Sequence, residues 1–457
     1  MHHSSVPASY RGSTRSLLIS SVLFCLALSW PAPAQIIVPG ADGSDGNFVP
    51  LSNTQIDLSL AVPRDWDVPS PVAGRGVYDP IKWAVVFKYA SVNIPVGVTV
   101  TFKNHPSGAP VVWLVQDSVV VNGTVSLNGA DGHGDGSVAK SSAPGPGGFR
   151  GGRGKRVASP GSGGYGPGGA SLGNGTSEGS GAGYATQGRS GNSGFGTPGQ
   201  TYGNAGLIPL IGGSGGAGGE SITGNIDAGG GGAGGGAILI AAPNLIRIDG
   251  TLRANGGFGA GNWTGGGASG GAIRLIADMV IGDGSLQAFG AAPNSNAGAG
   301  GNGRIRIEAN AITLTGGGDP VYTSTAPGAT AVLWTSPNVP SVRILSLGGQ
   351  AIPTDPRASL DVPGADVTVP NQGSQLVTIE AENVPIDWAL VVRMVPPQGQ
   401  DMTAQAAYVS GDESLSIWQA TLPLPAGFTV LQARAYQQAP TTANLEPEAD
   451  PTTVENE

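Results

Sequence analysis

Runs of glycine alternate in this chain with short segments in which aliphatic residues recur at every second position. The stretch GGGGAGGGAILIAAPNLIRIDGTLRANGG, from Gly229 to Gly257, changes from almost pure glycine to alternating Ile and Leu and back again. Alternation with period two is typical of a β-strand that buries one face. Glycine allows backbone conformations and close backbone approach that a Cβ atom forbids. The chain has 79 glycines among 457 residues but no sustained Gly-X-Y register, which excludes collagen.

The alternating pattern occurs in four copies, which begin at Val111, Ile238, Ile273 and Ile305. A single copy cannot bury its apolar face, whereas copies stacked on one another can, so the repeat predicts a solenoid of short parallel strands, a parallel β-helix. Strand pairs in these copies are separated by Asn-Gly or Asp-Gly, as at Asp249-Gly250. We expect these corners to be turns in which the glycine has a positive φ.

Composition divides residues 35–457 into three parts. Residues 35–336 contain the repeats and form the predicted glycine-rich β-helix, with a glycine-rich insertion at about 129–236. The insertion is either a disordered spacer or an ordered loop that its aromatic residues fix to the flank of the helix. Five strand-like runs separated by Pro and Gly predict a small antiparallel β-sandwich at 337–437. Residues 438–457 are polar and acidic and predict a disordered tail.

The N-terminal 34 residues have the pattern of a secretory signal peptide. Arg11 and Arg15 precede the apolar run LLISSVLFCLAL, and Ala32-Pro33-Ala34 supplies small residues before a cut ahead of Gln35. The apolar run is too short to span a bilayer, and no second run of about 20 apolar residues follows, so we expect no transmembrane anchor. The predicted location is extracellular or at the cell surface, with the periplasm as an alternative.

Cleavage at this position would remove the only cysteine, Cys25, and leave two histidines, His105 and His133. Disulfides, thiol catalysis and Cys/His zinc sites are thereby excluded from the predicted exported chain. Loss of Arg11 and Arg15 would lower the formal charge from −9 to −11. An acidic exported protein is a poor nucleic-acid binder, so we expect no nucleic-acid partner. The oligomeric state stays open.

The strand repeats and glycine corners resemble right-handed parallel β-helices of the pectin-lyase-like kind. More narrowly, the phrases YDPIKWAVVFKY from Tyr78, VTVTFKNHP from Val98 and GPGGFRGG from Gly145 resemble glycine-rich exported proteins of planctomycete-type environmental bacteria, which are largely uncharacterised. This resemblance implies an all-β fold, a right-handed parallel β-helix (solenoid) with long glycine-rich loops. A small antiparallel β-sandwich then follows it in the predicted architecture.

A pectin-lyase-like fold also raises the alternative of a polysaccharide lyase or glycoside hydrolase. His133 lies in a Gly-His-Gly triplet like that of polygalacturonases, but no aspartate pair precedes it and no Arg-Ile-Lys follows it. A lyase would need carboxylates that bind calcium and an arginine that acts as the base. The part of the sequence that is dense in both residue types contains Asp249, Asp278 and Asp283 with Arg247, Arg253 and Arg274. Turn positions explain Asp249 and Asp283, and a solvated strand face explains Arg247 and Arg274. We therefore assign no catalytic residues.

Two further features suggest ligands. Arg150, Arg153, Lys155 and Arg156 form a local basic cluster that could bind an anionic polysaccharide or lipid headgroup, with solvated loop charge as the alternative. Asp42, Asp45 and Asn47 weakly resemble a calcium loop, but their spacing is one residue short and the twelfth-position Glu is missing. We predict no cofactor and no metal site, with a structural calcium ion as the alternative.

The sequence thus predicts a non-catalytic exported protein of the cell surface or extracellular matrix. It would act as a scaffold or adhesin-like element and could bind a polysaccharide or other surface polymer. The enzyme alternative would be favoured by three or more carboxylates on one exposed face inside a groove.

Overall fold

The structure of the chain is a computed structural model. The structure describes residues 35–134, 140–156, 159–173, 178–192, 194, 196–220, 227–261, 265–292, 296–335, 338–358, 364–370 and 373–437. The predicted signal peptide and the predicted acidic tail both lie outside these residues.

The described chain is all-β, as predicted, apart from a short 3-10 helix at Leu58–Leu60. Nine strands precede the glycine-rich insertion: β1 Gly46–Phe48, β2 Thr54–Asp57, β3 Val62–Pro63, β4 Val77–Asp79, β5 Ala84–Ile94, β6 Thr99–Lys103, β7 Val111–Val115, β8 Ser118–Val121 and β9 Thr124–Ser126. Eight strands follow it: β10 Ala237–Ala241, β11 Leu245–Ile248, β12 Thr251–Arg253, β13 Ala272–Gly282, β14 Ser285–Gln287, β15 Arg304–Leu314, β16 Gly318–Asp319 and β17 Thr323–Thr325. We call β1–β17 the parallel region, because almost all of their pairings are parallel.

Equivalent positions of the sequence repeats pair with one another in the parallel region. Ile238 on β10 lies opposite Val111 on β7 and Ile273 on β13, and Ile273 lies opposite Ile305 on β15. These four side chains belong to one buried aliphatic core. The period-two pattern therefore identified the strands and the face that points into this core. The other face of β7 and β10 is buried as well, in a second cluster that includes Val112 and Leu239.

The predicted right-handed parallel β-helix (solenoid) is wrong. Six strands close on themselves in a ring of parallel pairings, in the order β10, β7, β5, β8, β11, β13 and back to β10, which makes a six-stranded parallel β-barrel. The physical reason lies in strand length. β5 and β13 each run for eleven residues without a break, and each pairs with two shorter strands in succession. A second parallel sheet has the order β16, β14, β12, β9, β6, β2.

The prediction of positive φ values for the corner glycines is also wrong. Gly123, Gly250 and Gly284 do not have positive φ values. They lie at equivalent corners, and a Cβ atom on Gly250 would come within 1.9 Å of the Gly123 carbonyl oxygen. The Cβ atom of an alanine at position 284 would likewise lie 2.1 Å from the Gly250 oxygen. Close stacking of successive corners, and not turn conformation, therefore requires glycine here.

The glycine-rich insertion is packed through its backbone. Gly213, Gly216 and Gly219 donate their N–H groups to the carbonyls of Gly235, Gly232 and Gly229. The partners on both segments thus recur at every third residue, although these segments contain no helix or strand. Three residues per turn with hydrogen bonds only to neighbouring segments is the pattern of polyproline-II-type chains. We call segments 145–156, 212–220, 228–236 and 265–271 the glycine bundle.

Aromatic side chains connect the insertion to its surroundings. Tyr184 is fully buried against the outward-facing side chains of β10 and β13, and its hydroxyl donates to the carbonyl of Ile211. Tyr165 is also buried, and Tyr202 stacks on Tyr184 at 4.6 Å between ring centroids. Phe195 lies outside the described residues. Of the two predicted alternatives, this packing matches the ordered loop fixed by its aromatic residues.

The last eight strands form two antiparallel sheets: β18 Ser341–Leu347, β19 Gln350–Ala351, β20 Gly373–Glu382, β21 Ala389–Val395, β22 Met402–Gln405, β23 Ala407–Gly411, β24 Leu415–Leu424 and β25 Val430–Tyr436. One sheet has the order β19, β18, β20, β24, β23, and the other β22, β21, β25. Both contribute to one core that includes Val377, Val392 and Trp418. This arrangement is consistent with the predicted β-sandwich, and we call it the C-terminal sandwich.

The C-terminal sandwich is joined to the glycine-rich insertion by a buried arginine. The guanidinium of Arg393 on β21 donates to the carbonyls of Gly164 at 3.0 Å and Ala170 at 3.2 Å. Asp401 neutralises it at 2.9 Å, and the same carboxylate accepts the N–H of Leu172. Because the guanidinium and the carboxylate are both paired with groups of the insertion, they fix the sandwich against it.

Candidate functional site

A cleft of about 870 Å³ lies where the parallel region, the glycine bundle and the C-terminal sandwich meet. The parallel region contributes β6 and the segment that follows it, the insertion contributes Phe149 and Tyr165, and β25 contributes Leu431 and Gln432. This volume lies within the range of about 300–1,000 Å³ that is typical of ligand pockets. A surface built from three parts of the chain is therefore a candidate for a binding site.

Half-buried aromatic rings form much of the cleft wall. Trp83, Phe102 and Phe149 line it, and each keeps part of its surface accessible. Trp83 precedes β5 and has a φ of 43°, a conformation that is strained for a bulky side chain. Its indole Nε1 donates to the carbonyl of Ser107 at 2.9 Å, which fixes the orientation of the ring. Strain of this kind costs about 1–3 kcal/mol and concentrates at functional sites.

The polar part of the cleft consists mainly of amides and hydroxyls. Gln55, Ser59, Asn104 and Gln432 line it together with the aromatic rings. Lys103 adds a cation, but its Nζ pairs with Asp57 at 2.8 Å. Asp366 is the one carboxylate among the described lining residues. Aromatic faces beside uncharged hydrogen-bonding groups suit a ligand that is itself rich in hydroxyl groups and has apolar faces.

A polar cluster with a buried centre adjoins the cleft, and its His105 lines the wall. His105 stacks on Tyr78 at 4.0 Å between ring centroids, and its Nδ1 accepts the N–H of Ser107. The Tyr78 hydroxyl donates to Asp355 at 2.7 Å, and Asp355 pairs with Arg357. Burial, and secondarily the Arg357 charge, lowers the pKa of His105 to about 4. The Tyr78 hydroxyl therefore links the parallel region to the segment that follows β19, and the neutral imidazole of His105 packs against the Tyr78 ring.

The predicted basic cluster occurs along one segment of the glycine bundle. Arg150, Arg153 and Arg156 follow one another at every third residue, so they lie on one side of a chain with three residues per turn. Lys155 pairs with Glu220 at 3.5 Å, and Arg156 pairs with Asp227 at 3.7 Å.

Its four side chains are half-buried, and Arg150 reaches the wall of the cleft. Burial lowers the pKa of Arg153, and the neighbouring Arg156 charge lowers it further. Burial also raises the pKa of Glu220, although Gly161 N–H and Lys155 oppose that shift. Acidic partners thus neutralise Lys155 and Arg156, and the binding of an anionic ligand by the cluster stays a prediction.

Several of the residues weighed for catalysis make contacts with other parts of the chain. His133 lies in the insertion, where its carbonyl accepts the N–H of Gly230. Arg247 pairs with Asp249 at the surface, and Asp278 accepts from the Asn310 amide. The solvated position expected for Arg274 is wrong, because Arg274 is 1% exposed and pairs with Glu308. Among the described residues, no group of three or more His, Cys, Asp or Glu side chains could hold a metal ion.

The weak calcium-loop pattern serves a structural purpose. Asp45 is buried, and its carboxylate accepts the N–H groups of Gly74, Gly76 and Lys88. Asp42 pairs with the Lys88 ammonium at 3.4 Å. Both carboxylates are therefore committed to the chain's own donors at the first strands of the parallel region.

In comparisons with known proteins, no family model, no curated protein and no solved structure matches the chain. In the part of the chain that the structure describes, no helix is long and apolar enough to cross a membrane.

The sequence did not identify the cleft, because Trp83, Phe149 and Gln432 are far apart along the chain. The one local signal was the set of single aromatic residues within the glycine-rich insertion.

Proposed function

We propose that this protein is an exported, non-catalytic scaffold of the cell surface or extracellular matrix that binds a polysaccharide. The observation that carries the proposal is the cleft of about 870 Å³ with Trp83, Phe102 and Phe149 in its wall. Sugar rings present apolar C–H faces and equatorial hydroxyls, and aromatic rings beside amides complement both. The strained backbone of Trp83 is in keeping with a ring held ready for a ligand.

Binding without cleavage is favoured by the charges in the cleft. Glycoside hydrolysis ordinarily uses two carboxyl groups that flank the scissile bond, about 5 to 9.5 Å apart. Asp366 is the single carboxylate among the described lining residues, and its Oδ1 accepts the N–H groups of Arg357 and Ala358. Asp366 therefore stabilises a loop and has no acidic partner across the described wall.

The test is a binding and cleavage screen with purified protein and immobilised polysaccharides, neutral and acidic, with and without calcium. We expect retention on at least one polysaccharide without new reducing or unsaturated ends. Trp83→Asn and Phe149→Ala should each weaken that binding about tenfold, because each removes one stacking surface. Asparagine is chosen at position 83 because it tolerates a positive φ.

Phe258→Ala is the matched control, since Phe258 is an exposed aromatic residue of the glycine-rich part that does not line the cleft. It should leave binding unchanged. Release of new sugar ends by the wild-type protein would contradict the proposal and favour the enzyme alternative. Failure to bind any polysaccharide of the panel would contradict it as well.

A further inference from the structure

His105 lines the wall of the cleft although it is almost completely buried, with 4% of its surface exposed. It lies in the turn that follows β6, where its carbonyl accepts the N–H of Gly108 at 2.8 Å. The Tyr78 ring covers one face of the imidazole. Because His105 lines the cleft, the small part of the residue that stays exposed faces this space.

The contacts of Nδ1 fix which ring nitrogen of His105 carries the proton. Nδ1 accepts the N–H of Ser107 at 3.2 Å, and the Ser107 hydroxyl lies 2.7 Å from the same nitrogen. A backbone N–H is a donor only, so Nδ1 is unprotonated. Burial lowers the pKa of His105 to about 4, so the ring is neutral at neutral pH and its one proton is on Nε2.

The Nε2–H group has no hydrogen-bond partner among the described residues. The polar side-chain atoms that are both sealed from solvent and without a partner belong to Trp113, Arg153, Arg304 and Thr429, and not to His105. Nε2 therefore keeps some accessible surface, on the side of the cleft. A donor with so little accessible surface is poorly hydrated, so a ligand oxygen that accepts it displaces little water.

Ser107 places this donor beside the aromatic wall. Its N–H and hydroxyl contact the His105 ring, and its carbonyl accepts the indole N–H of Trp83 at 2.9 Å. One residue thus orients both a stacking surface and an unused N–H group. This pair is complementary to a sugar ring, which has apolar faces and oxygen atoms around its edge.

We infer that His105 is a specificity-determining residue of the cleft, whose Nε2–H donates to an uncharged oxygen of the sugar that lies against Trp83. The acceptor is a sugar hydroxyl or an acetamide carbonyl. Because Nδ1 already accepts from Ser107, the imidazole cannot accept from the ligand, so it selects the position of an oxygen atom. The inference rests on the proposed polysaccharide binding and deepens it by naming the group that orients the sugar.

Nuclear magnetic resonance of isotope-labelled histidine tests the inference. Replacing His2, His3 and His133 with Gln leaves His105 as the one histidine of the full chain. The probes are hexasaccharides of cellulose, mannan, xylan, chitin and polygalacturonate. In the free protein at neutral pH we expect the proton on Nε2. A hexasaccharide that binds should shift the Nε2–H signal and slow its exchange with water at least about fivefold.

Calorimetric titration of the same hexasaccharides with variants supplies the second measurement. His105→Phe keeps a ring against Tyr78 but removes the donor, and should weaken binding about fivefold. Tyr78→Phe is the matched control, because it alters the neighbouring cluster, lies outside the cleft wall and leaves Nε2 in place. It should leave the affinity unchanged. The resonance experiment keeps His105 itself and so does not depend on the folding of His105→Phe.

Two results would overturn the inference while polysaccharide binding stands. The first is a bound hexasaccharide that leaves the signal and the exchange rate of Nε2–H unchanged. The second is a His105→Phe protein that binds as tightly as the wild-type protein. Binding of none of the hexasaccharides is a different result: it would contradict the proposed function, and the inference would fail with it.

Discussion

Side chains fill the interior of the parallel region, whereas backbones fill the interior of the glycine bundle. Ile238, Ile240 and Ile273 are completely buried in the aliphatic core between the parallel strands. In the bundle, segments lie so close that a Cβ atom on Gly215 would come within 1.8 Å of the Arg150 carbonyl oxygen. One region therefore gains stability from apolar burial, and the other from hydrogen bonds between closely packed chains.

This difference predicts that the aliphatic core tolerates the loss of a methyl group, whereas the glycine bundle does not tolerate the addition of one. An aliphatic core accepts the loss of one methyl group at moderate cost, because neighbouring side chains relax around the cavity. A backbone contact has no rotamer to change, so an added methyl group must separate two chains or prevent their hydrogen bonds. Glycine in the bundle is thus a packing requirement, although a glycine-rich composition usually indicates flexibility.

The largest effect should come from Gly215→Ala, which we expect to lower the free energy of unfolding by about 3 kcal/mol or more. Ile240→Val in the core should lower it by about 1 kcal/mol. Gly134→Ala is the matched control, because no atom of the described residues lies within 4 Å of its added Cβ and its φ lies outside the left-handed region. Urea unfolding of the three variants provides the comparison. A Gly215→Ala protein within about 0.5 kcal/mol of wild type would contradict backbone packing in the bundle.

The next effect in size should be a pH dependence of the free energy of unfolding, which arises from His105 in the parallel region. The pKa of His105 is lowered to about 4 in the folded protein, so between about pH 4 and 6.5 the unfolded chain binds the proton more strongly. The contribution of His105 is therefore complete above about pH 6.5 and is lost as the pH falls towards 4. The loss should be roughly 3 kcal/mol.

Urea midpoints measured from pH 7 to pH 4 check this dependence. His105→Phe keeps an aromatic ring against Tyr78 and removes the titrating group, so its midpoint should vary less across this interval. An equal slope in the variant and the wild-type protein would assign the pH dependence to other groups.

The strands of the parallel region could be predicted because their signal is local. Apolar runs at Val111–Val115 and Ala237–Ala241 and alternation at Leu245–Ile248 identified three strands. The first two are buried at every position, so the expectation of one buried face holds only for the third. The connectivity could not be predicted in the same way. Whether a long strand such as β13 pairs with one neighbour or with two depends on where it bends, and period-two alternation does not encode a bend.

The sequence of the glycine bundle contains a period of three residues, which is less evident than the period of two in the strands. Residues 212–220 read GGSGGAGGE, so a residue other than glycine recurs at every third position. That period matches three residues per turn and predicts packed polyproline-II-type segments. Arg150, Arg153 and Arg156 repeat at the same spacing. The cleft had no comparable signal, because its wall is assembled from residues that meet only after the three regions pack together.

The central claim is that the glycine bundle is a cooperatively packed part of the fold, and amide hydrogen exchange tests it most directly. The N–H groups of Gly216, Gly231 and Gly234 donate to carbonyls of neighbouring segments at 2.8–3.0 Å. We predict that these amides exchange as slowly as the amide of Leu239 on β10, since both should open only in large-scale unfolding. Exchange of the bundle amides at the rate of an unstructured chain, beside a protected Leu239, would contradict the account.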